Sequence, residues 1–273
     1  MTTVGTFNIR LFPDRGTVPS RVAELIHELD ADVFMVQEIR VPAAFDDVLA
    51  AVATAGGRRY RAALGPMCST SQLQLGLVYD ESVWSLVETR TQADLDPTGL
   101  CSCRRGHPPI MVAILEHTNG RRLAAVSVHL QFGGRRWMAR ARREQWSHLT
   151  ATLGKLSEEF GGLVVVGGDF NSTGYREDDL GERAFIVRTV AEAGLTLATA
   201  DLDCTAYWRP NRRVRDYVPS MLDHVLVSGA TVGKVDVLGM CATLDGHTCP
   251  ADVPNPDFHE VSDHCPVRVE LAL

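Results

Sequence analysis

Two short segments in the second half of the chain set ligand-type side chains against apolar runs. They are Val166-Gly167-Gly168-Asp169-Phe170-Asn171-Ser172 and Val261-Ser262-Asp263-His264-Cys265-Pro266-Val267. In each, a carboxylate stands beside a second polar group where a strand end would display both at a sheet rim. Four further signals have the same form: Asn8 after Thr6-Phe7, Glu38 after Phe34-Met35-Val36-Gln37, His129 after Ala125-Val126-Ser127-Val128, and Asp223 with His224. Burying so many ionisable groups beside core strands is costly unless they pair or hold a cation. Oxygen ligands from Asp, Glu and Asn suit Mg2+, Mn2+ or Ca2+, and imidazoles beside them suit proton transfer or phosphate contact. The composite describes a metal-assisted phosphoester site. Singly, each signal has a structural reading: a turn at Asp169 and Asn171, a solvated strand end at Glu38, a satisfied core histidine at His129, a turn cap at Ser262-Asp263. Their joint occurrence is what favours chemistry.

The elements that must position these groups alternate between strand and helix patterns. Thr3 to Arg10 reads as a strand, Val18 to Leu29 as a helix with Val22, Leu25, Ile26 and Leu29 on one face, Asp32 to Gln37 as a buried strand, and Ala43 to Thr54 as a helix. Five close-set strand candidates follow, Tyr60 to Leu64, Leu73 to Tyr79, Val83 to Arg90, Ile110 to His117 and Arg122 to His129. Such a run indicates antiparallel meanders, not a doubly wound parallel sheet. The longest helix candidate covers Arg136 to Phe160, softened at Gly154 and ended by Gly161-Gly162. Leu163 to Val166, Leu222 to Val227 and Val267 to Leu273 read as strands and Ala184 to Glu192 as a helix. Asp201 to Pro219 is a long irregular stretch and a functional-loop candidate on length.

With 273 residues, 45% hydrophobic and 22% charged, the chain fits one large α/β domain spanning residues 1–273. No stretch approaches roughly eighteen consecutive apolar residues, and Met1 runs into a strand-like segment without a basic leader. The expectation is no membrane span and a cytoplasmic location, with a processed secreted form as the alternative. A formal net charge of −7 disfavours nucleic-acid binding over the whole surface and leaves a local basic groove as the place for it. The cysteines number 7, an odd set. Cys241 and Cys249 flank Asp245-Gly246-His247 and would close that loop in an oxidising compartment, whereas Cys101 and Cys103 are too close for an easy bridge. A zinc site from Cys241, His247, Cys249 and His259 fits none of the standard structural spacings.

The ordered set Thr6-Phe7-Asn8-Ile9-Arg10, Val36-Gln37-Glu38-Ile39, Ser127-Val128-His129-Leu130, Gly167-Gly168-Asp169-Phe170-Asn171, Leu222-Asp223-His224 and Ser262-Asp263-His264-Cys265-Pro266-Val267 resembles the signature of the endonuclease/exonuclease/phosphatase superfamily. That superfamily includes pancreatic-type deoxyribonuclease, apurinic endonucleases, inositol polyphosphate 5-phosphatases and neutral sphingomyelinases. The resemblance implies an α/β (α+β) four-layer sandwich, two mixed, mostly antiparallel sheets packed face to face with helices outside. It also implies a divalent cation, Mg2+ with Mn2+ or Ca2+ as alternatives. Glu38 would be its principal ligand, supported by Asn8 and Asp263. Asp169 and Asn171 would hold the nucleophilic water and the scissile phosphate. His264, oriented by Asp223, would be general base or phosphate ligand, and His129 would stabilise the phosphorane or assist the leaving group. Deoxyribonuclease-like members carry an additional Glu before the central meander, where this chain has Gln72 and Gln74. A neutral amide cannot tune His129 as a carboxylate would.

Three arginine groups bear on the substrate. Arg135, Arg136, Arg140, Arg142 and Arg143 follow His129, and the helical spacing of most of them suggests a solvated face. Arg209, Arg212, Arg213 and Arg215 sit in the long loop with Tyr207 and Trp208, and aromatic rings beside guanidinium groups suit single-stranded or distorted nucleic acid, or a nucleotide. Arg104 and Arg105 are a third phosphate-contact candidate. The expected substrate-binding set is Arg105, Tyr207, Trp208 and Arg212. The leading expectation is a monomeric, divalent-metal phosphodiesterase acting on nucleic acid, specifically an endonuclease on DNA. The alternatives are a hydrolase for a small or lipid-linked phosphate, and a catalytically inactive member that binds a partner through the same cleft.

Overall fold

Successive residues of a strand face opposite sides of its sheet, and four strands of this chain grow polar on one side only. Val4, Thr6 and Asn8 share a side, as do Val33, Met35 and Gln37, then Ala125, Ser127 and His129, then Val165, Gly167 and Asp169. In the computed structural model, which describes residues 1–67, 71–92, 110–172, 181–209, 213–252 and 254–273, that side is the interior between two sheets. The elements in chain order are β1 (Thr2–Phe12), α1 (Pro19–Leu29), β2 (Val33–Ile39), α2 (Pro42–Thr54), β3 (Tyr60–Leu64), β4 (Gln74–Asp80), β5 (Trp84–Gln92), β6 (Ile110–His117), β7 (Arg122–His129) and α3 (Arg136–Glu159). They continue with β8 (Val164–Asp169), α4 (Glu182–Glu192), β9 (Thr196–Leu197), β10 (Ala206–Trp208), β11 (Val218–Ser220), β12 (Asp223–Ser228), β13 (Thr231–Val237), α5 (Met240–Leu244), α6 (Pro256–Glu260) and β14 (Val267–Ala272).

Two six-stranded mixed sheets result, in the orders β13-β14-β1-β2-β4-β3 and β5-β6-β7-β8-β12-β9. Each has one parallel pair, β1 with β2 and β7 with β8, and is otherwise antiparallel. Val4, Val33, Met35, Leu77, Ala125, Val165, Val225 and Val269 fill the space between the sheets. On the outer face of the first sheet, Ile26 and Leu29 of α1 and Phe45 and Leu49 of α2 pack on Phe7, Ile9, Phe34 and Val36. On the outer face of the second, Trp146, Leu149 and Leu153 of α3 and Ile186 and Val190 of α4 pack on Val112, Val126, Val164 and Val166. The product is the four-layer sandwich, α on β on β on α. The two sheets approach closely at Gly167, where a Cβ would lie 3.0 Å from Thr6 Cβ and 2.3 Å from Met35 Cε.

The structure departs from the sequence reading in several places. The stretch Asp201 to Pro219 is not wholly irregular, because β10 pairs antiparallel with β11 within and beside it. The Cys241–Cys249 closure does not form. Cys204 is bonded to Cys241 across a sequence separation of 37, while Cys249 is a buried free thiol whose backbone pairs with Tyr217 in both directions and is held there. The zinc reading fails with it, since the Cys241 sulfur belongs to the disulfide. Among the described residues, no helix is long and apolar enough to cross a membrane.

Arg142 is the clearest reversal, for its side chain is buried, not on a solvated helical face. Burial pushes the guanidinium down from its ordinary value, and the buried carboxylate of Glu182 opposes that shift. Its guanidinium donates to Glu182 Oε1 at 2.6 Å, to the Gln131 carbonyl at 3.0 Å and to the Gly133 carbonyl at 2.7 Å. It thereby ties α3 and α4 to the loop that leaves His129. Replacing Arg142 with methionine strips the guanidinium from buried Glu182 and is expected to cost about 3–5 kcal/mol in urea unfolding. Adding Glu182→Leu should recover part of that loss; a double variant no more stable than the single would contradict the pairing.

Candidate active site

Both sheets present the same triplet, a central strand flanked by one parallel and one antiparallel neighbour, β14-β1-β2 and β12-β8-β7. The C-terminal ends of the parallel strands and the N-terminal ends of the antiparallel ones therefore meet at one rim. In the second sheet, Asp169 of β8 is in register with both His129 of β7 and Asp223 of β12. In the first, the β1–β2 ladder loses register just after Asn8 and Gln37. Arg10, Leu11 and Glu38 take left-handed backbone conformations there, with φ of 36°, 51° and 67°. Such conformations are costly for residues with a Cβ and persist where the surroundings hold them. Here the irregularity folds backbone donors inward: Leu11 N–H donates to Glu38 Oε2 at 2.9 Å and Arg10 N–H to Asn8 Oδ1 at 3.0 Å.

Asn8 joins the sheets. Its Nδ2 donates to Glu38 Oε1 and to Asp169 Oδ2, each at 3.1 Å. The amide NH2 faces the carboxylates, and a donor group cannot ligate a cation. Asn8 thereby holds the carboxylates of Glu38 and Asp169 together through Nδ2. Asp169 Oδ1 accepts from Asn171 N–H at 2.8 Å, while Asp169 Oδ2 lies 3.4 Å from His129 Nε2 and 3.7 Å from His264 Nε2. Asn171, at φ 53°, donates through Nδ2 to the Leu130 carbonyl at 3.1 Å. Behind His264, Asp223 Oδ2 lies 2.8 Å from Nδ1. Thr205 Oγ1 accepts from both Leu222 N–H and Asp223 N–H, and Ser262 Oγ donates to the Asn8 carbonyl while accepting from His264 N–H. The β10 segment closes this side: Tyr207 N–H donates to the Asp263 carbonyl at 2.8 Å and Cys265 N–H to the Thr205 carbonyl at 2.8 Å.

A cleft of about 420 Å³ opens on this rim. Glu38, His129, Asp169, Asn171, Asp263 and His264 line it, together with Tyr207 and Trp208. Tyr207 is buried and its hydroxyl donates to the His247 carbonyl at 2.9 Å, so it serves as wall and brace; Trp208 is half-buried. Asn8 and Asp223 stand behind the lining. Arg105 and Arg212 lie outside the described residues. Sequence reasoning missed Leu11, Ser71, Leu73, Phe132 and Leu222 in the lining. Phe132, three residues past His129, carried a readable signal, but Thr205 carried none. Gln74 is buried with its Nε2 on the Gly65 carbonyl, and Gln72 is exposed; neither lines the cleft.

The electrostatics follow from burial against charge. Burial alone would push the His264 imidazole down, but Asp223, Asp169 and Asp263 outweigh it and hold it well above its ordinary value. Burial pushes the Asp223 carboxyl up to about 6, against the pull of His264. Burial likewise raises Asp263, whose Oδ1 is buried with no hydrogen-bond partner among the described residues. Glu38, His129 and Asp169 each offer a ligand atom within 4.8 Å of the others, as do Asp169, Asp223 and His264. Four carboxylates thus converge with an unsatisfied carboxylate oxygen among them, a hard-oxygen donor set that fits a divalent cation.

His224, next to Asp223, is different. Its ring is fully buried, with Nδ1 2.9 Å from Thr199 Oγ1, and burial lowers its pKa from 6.5 to about 4. Between those values the unfolded chain binds a proton that the folded chain refuses. Stability should therefore fall as pH drops from about 6.5 to about 4, by about 3 kcal/mol from this group. Urea midpoints across that range should show the loss, and His224→Asn should flatten it; an equal slope in both proteins would contradict the assignment.

This fold and this rim together define a phosphoesterase of the four-layer sandwich class. A family model for the endonuclease/exonuclease/phosphatase family matches residues 5–264, and the chain belongs to that family, whose members are metal-dependent phosphoester hydrolases. Humanized D. rerio TDP2 carrying 14 mutations is similar with a TM-score of 0.67 and 16% identity, over 100% of this chain and 99% of that one. D. rerio TDP2 complexed with single strand DNA product gives 0.65 and 16%, over 100% and 99%. A mannosyl-6-phosphatase of Bacteroides thetaiotaomicron gives 0.66 and 18%, over 100% of both chains. At these identities the likeness is one of fold. No curated protein matches the sequence.

Proposed function

We propose that the cleft hydrolyses a phosphodiester in DNA, as an endonuclease, and that the chain works as one domain and a monomer. The observation that carries this reading is the convergence of Glu38, His129, Asp169, Asn171, Asp263 and His264 on one cleft, backed by Asn8 and Asp223. Glu38 and Asp263 would hold a divalent cation, Mg2+ foremost, with Mn2+ or Ca2+ as alternatives, and Asn8 fixes Glu38 for that task. When bound, the cation supplies positive charge against the scissile phosphate.

The remaining groups divide the proton and charge work. Asp169 is held by Asn8 and by Asn171 N–H, and it accepts the proton of the attacking water. Asn171 turns its NH2 to Leu130, which leaves Oδ1 to orient that water. His264, kept protonated by Asp223 and Asp169, donates from Nε2 to a phosphoryl oxygen. His129 stabilises charge on the leaving-group side. Trp208 contributes an aromatic wall. The product complex of D. rerio TDP2 with single-strand DNA supports nucleic acid as the substrate class.

A second reading, hydrolysis of a small phosphate, draws support from the described cleft lining, which holds no lysine or arginine, and from the fold shared with a mannosyl-6-phosphatase. The test is turnover of supercoiled plasmid, an abasic duplex, bis(4-nitrophenyl) phosphate and 4-nitrophenyl phosphate, each with Mg2+, Mn2+ or EDTA. Metal-dependent cleavage of plasmid or abasic duplex is expected. Turnover of the monoester alone would shift the reading to a phosphatase, and none at all would make the chain a binding module.

A further inference from the structure

The loop leaving His129 carries charge that the cleft lining lacks. A phosphate chain reaching His129 and Asp169 needs cations along its path, yet among the described residues the lining has no lysine or arginine. Phe132 lines the cleft and is 55% exposed. Just beyond it, where the loop enters α3, Arg135, Arg136 and Trp137 are exposed, Trp137 at 49%. Some exposed arginines elsewhere hold carboxylates, Arg61 with Glu81, Arg122 with Glu116, Arg140 with Glu144 and Arg215 with Asp252. Others, Arg15, Arg59 and Arg121, hold none among the described residues but lie outside the cleft lining and the loop that leaves it. Among the described residues Arg135 and Arg136 hold none, on a chain whose net charge is −7.

The backbone under this surface is braced. Arg142 holds the carbonyls of Gln131 and Gly133, Gln145 Oε1 accepts from Gln131 N–H at 2.9 Å, and Asn171 holds the Leu130 carbonyl. Two half-exposed aromatic residues and two exposed arginines that hold no carboxylate among the described residues therefore follow one another along the chain from the cleft. An exposed ring can stack on an unpaired base, while the faces of bases inside a duplex are already covered.

We infer that Phe132, Arg135, Arg136 and Trp137 form a docking track for single-stranded nucleic acid, with unpaired bases on the two rings and phosphates on the two guanidinium groups. The track deepens, and rests on, the reading of the cleft as a phosphodiesterase. Charge complementarity and continuity with the cleft select this occupant. An anionic bilayer would meet the same aromatic and basic groups, and it is the competing outcome.

The test measures binding without turnover: fluorescence anisotropy of a labelled phosphorothioate oligothymidylate, which resists hydrolysis, with the full chain in Mg2+ and again in EDTA. Arg135→Ala with Arg136→Ala should raise Kd about 10-fold and reduce the slope of log Kd against log salt by about 1.4, the loss of two single-strand phosphate contacts. Trp137→Ala should raise Kd about 10-fold with the slope unchanged, and Phe132→Leu should act in the same way. A blunt duplex should bind more weakly than the oligothymidylate, and phosphatidylserine vesicles should not bind. Unchanged affinity and slope in the variants would overturn the track, as would equal affinity for duplex or binding to vesicles in place of the oligonucleotide. Melting temperatures of the variants report whether the fold is kept. Oligothymidylate binding without metal-dependent turnover of any substrate would sink the phosphodiesterase reading alone. Turnover of bis(4-nitrophenyl) phosphate without oligonucleotide binding would sink the track alone.

Discussion

Glu38→Ala is expected to lower hydrolysis of bis(4-nitrophenyl) phosphate in Mg2+ by about 100-fold or more, with the fold intact. Glu38 sits on a left-handed backbone residue at the break in the β1–β2 ladder, and its two oxygens are already oriented by Leu11 N–H and Asn8 Nδ2. Such preparation serves a ligand better than a core contact. The carboxylate also stands near Asp169 and Asp263, so its removal relieves repulsion while it forfeits two hydrogen bonds. Stability without metal should therefore change little. Metal linkage supplies an independent readout: a cation that binds only the folded chain raises its melting temperature with concentration. Mg2+ should stabilise the natural protein and do so much less in the variant. Near-normal turnover, or an unchanged Mg2+ response, would remove Glu38 from the metal shell.

How much of this was legible depended on whether the physical signal lay along one strand or between distant segments. Asp169, His129 and Asn8 were readable because each closes an alternating run, at a strand end for Asp169 and His129 and at the break in the β1–β2 ladder for Asn8, whose inward positions turn from apolar to polar, and that pattern is local. Their meeting on one rim was not local; it required β7 beside β8, β1 beside β2, and the two sheets face to face. The resemblance of the ordered motifs supplied that step. Arg142 was misread because helical spacing reports which face a residue occupies, not whether a loop will offer carbonyls to a buried cation. The hydrogen bonds of Asn8 were hidden for a related reason, since its partners Glu38 and Asp169 lie 30 and 161 residues away in the chain. The partner of Cys241 is 37 residues away at Cys204, beyond what loop proximity can suggest. Edge strand β13 escaped notice because Thr231, Gly233 and Lys234 are exposed and leave it little hydrophobic pattern.

The pair His264–Asp223 supports the sharpest mechanistic test, because the direction of a pH shift separates two roles. His264→Ala should lower turnover by about 100-fold or more whichever role the imidazole plays. Asp223→Asn keeps the shape of the partner and removes its charge. Since Asp223 is the largest influence raising His264 against burial, the variant must lower the pKa of that imidazole. If His264 works as a protonated donor to the phosphate, activity is lost as pH rises through its pKa. In the natural protein that pKa lies well above 6.5, so activity persists through neutral pH and declines on the alkaline side. Asp223→Asn should then move the alkaline limb of the rate profile to lower pH, with the greatest loss above neutrality. If His264 works as a base, activity is instead lost as pH falls, and the same substitution would extend activity to lower pH. The His264–Asp223 contact at 2.8 Å leaves Nε2 turned toward the cleft and serves either role, and it is the raised pKa of the imidazole that favours the donor. An acid limb that moved downward in Asp223→Asn would overturn the donor assignment, and would place the proton-accepting role on His264 instead of Asp169.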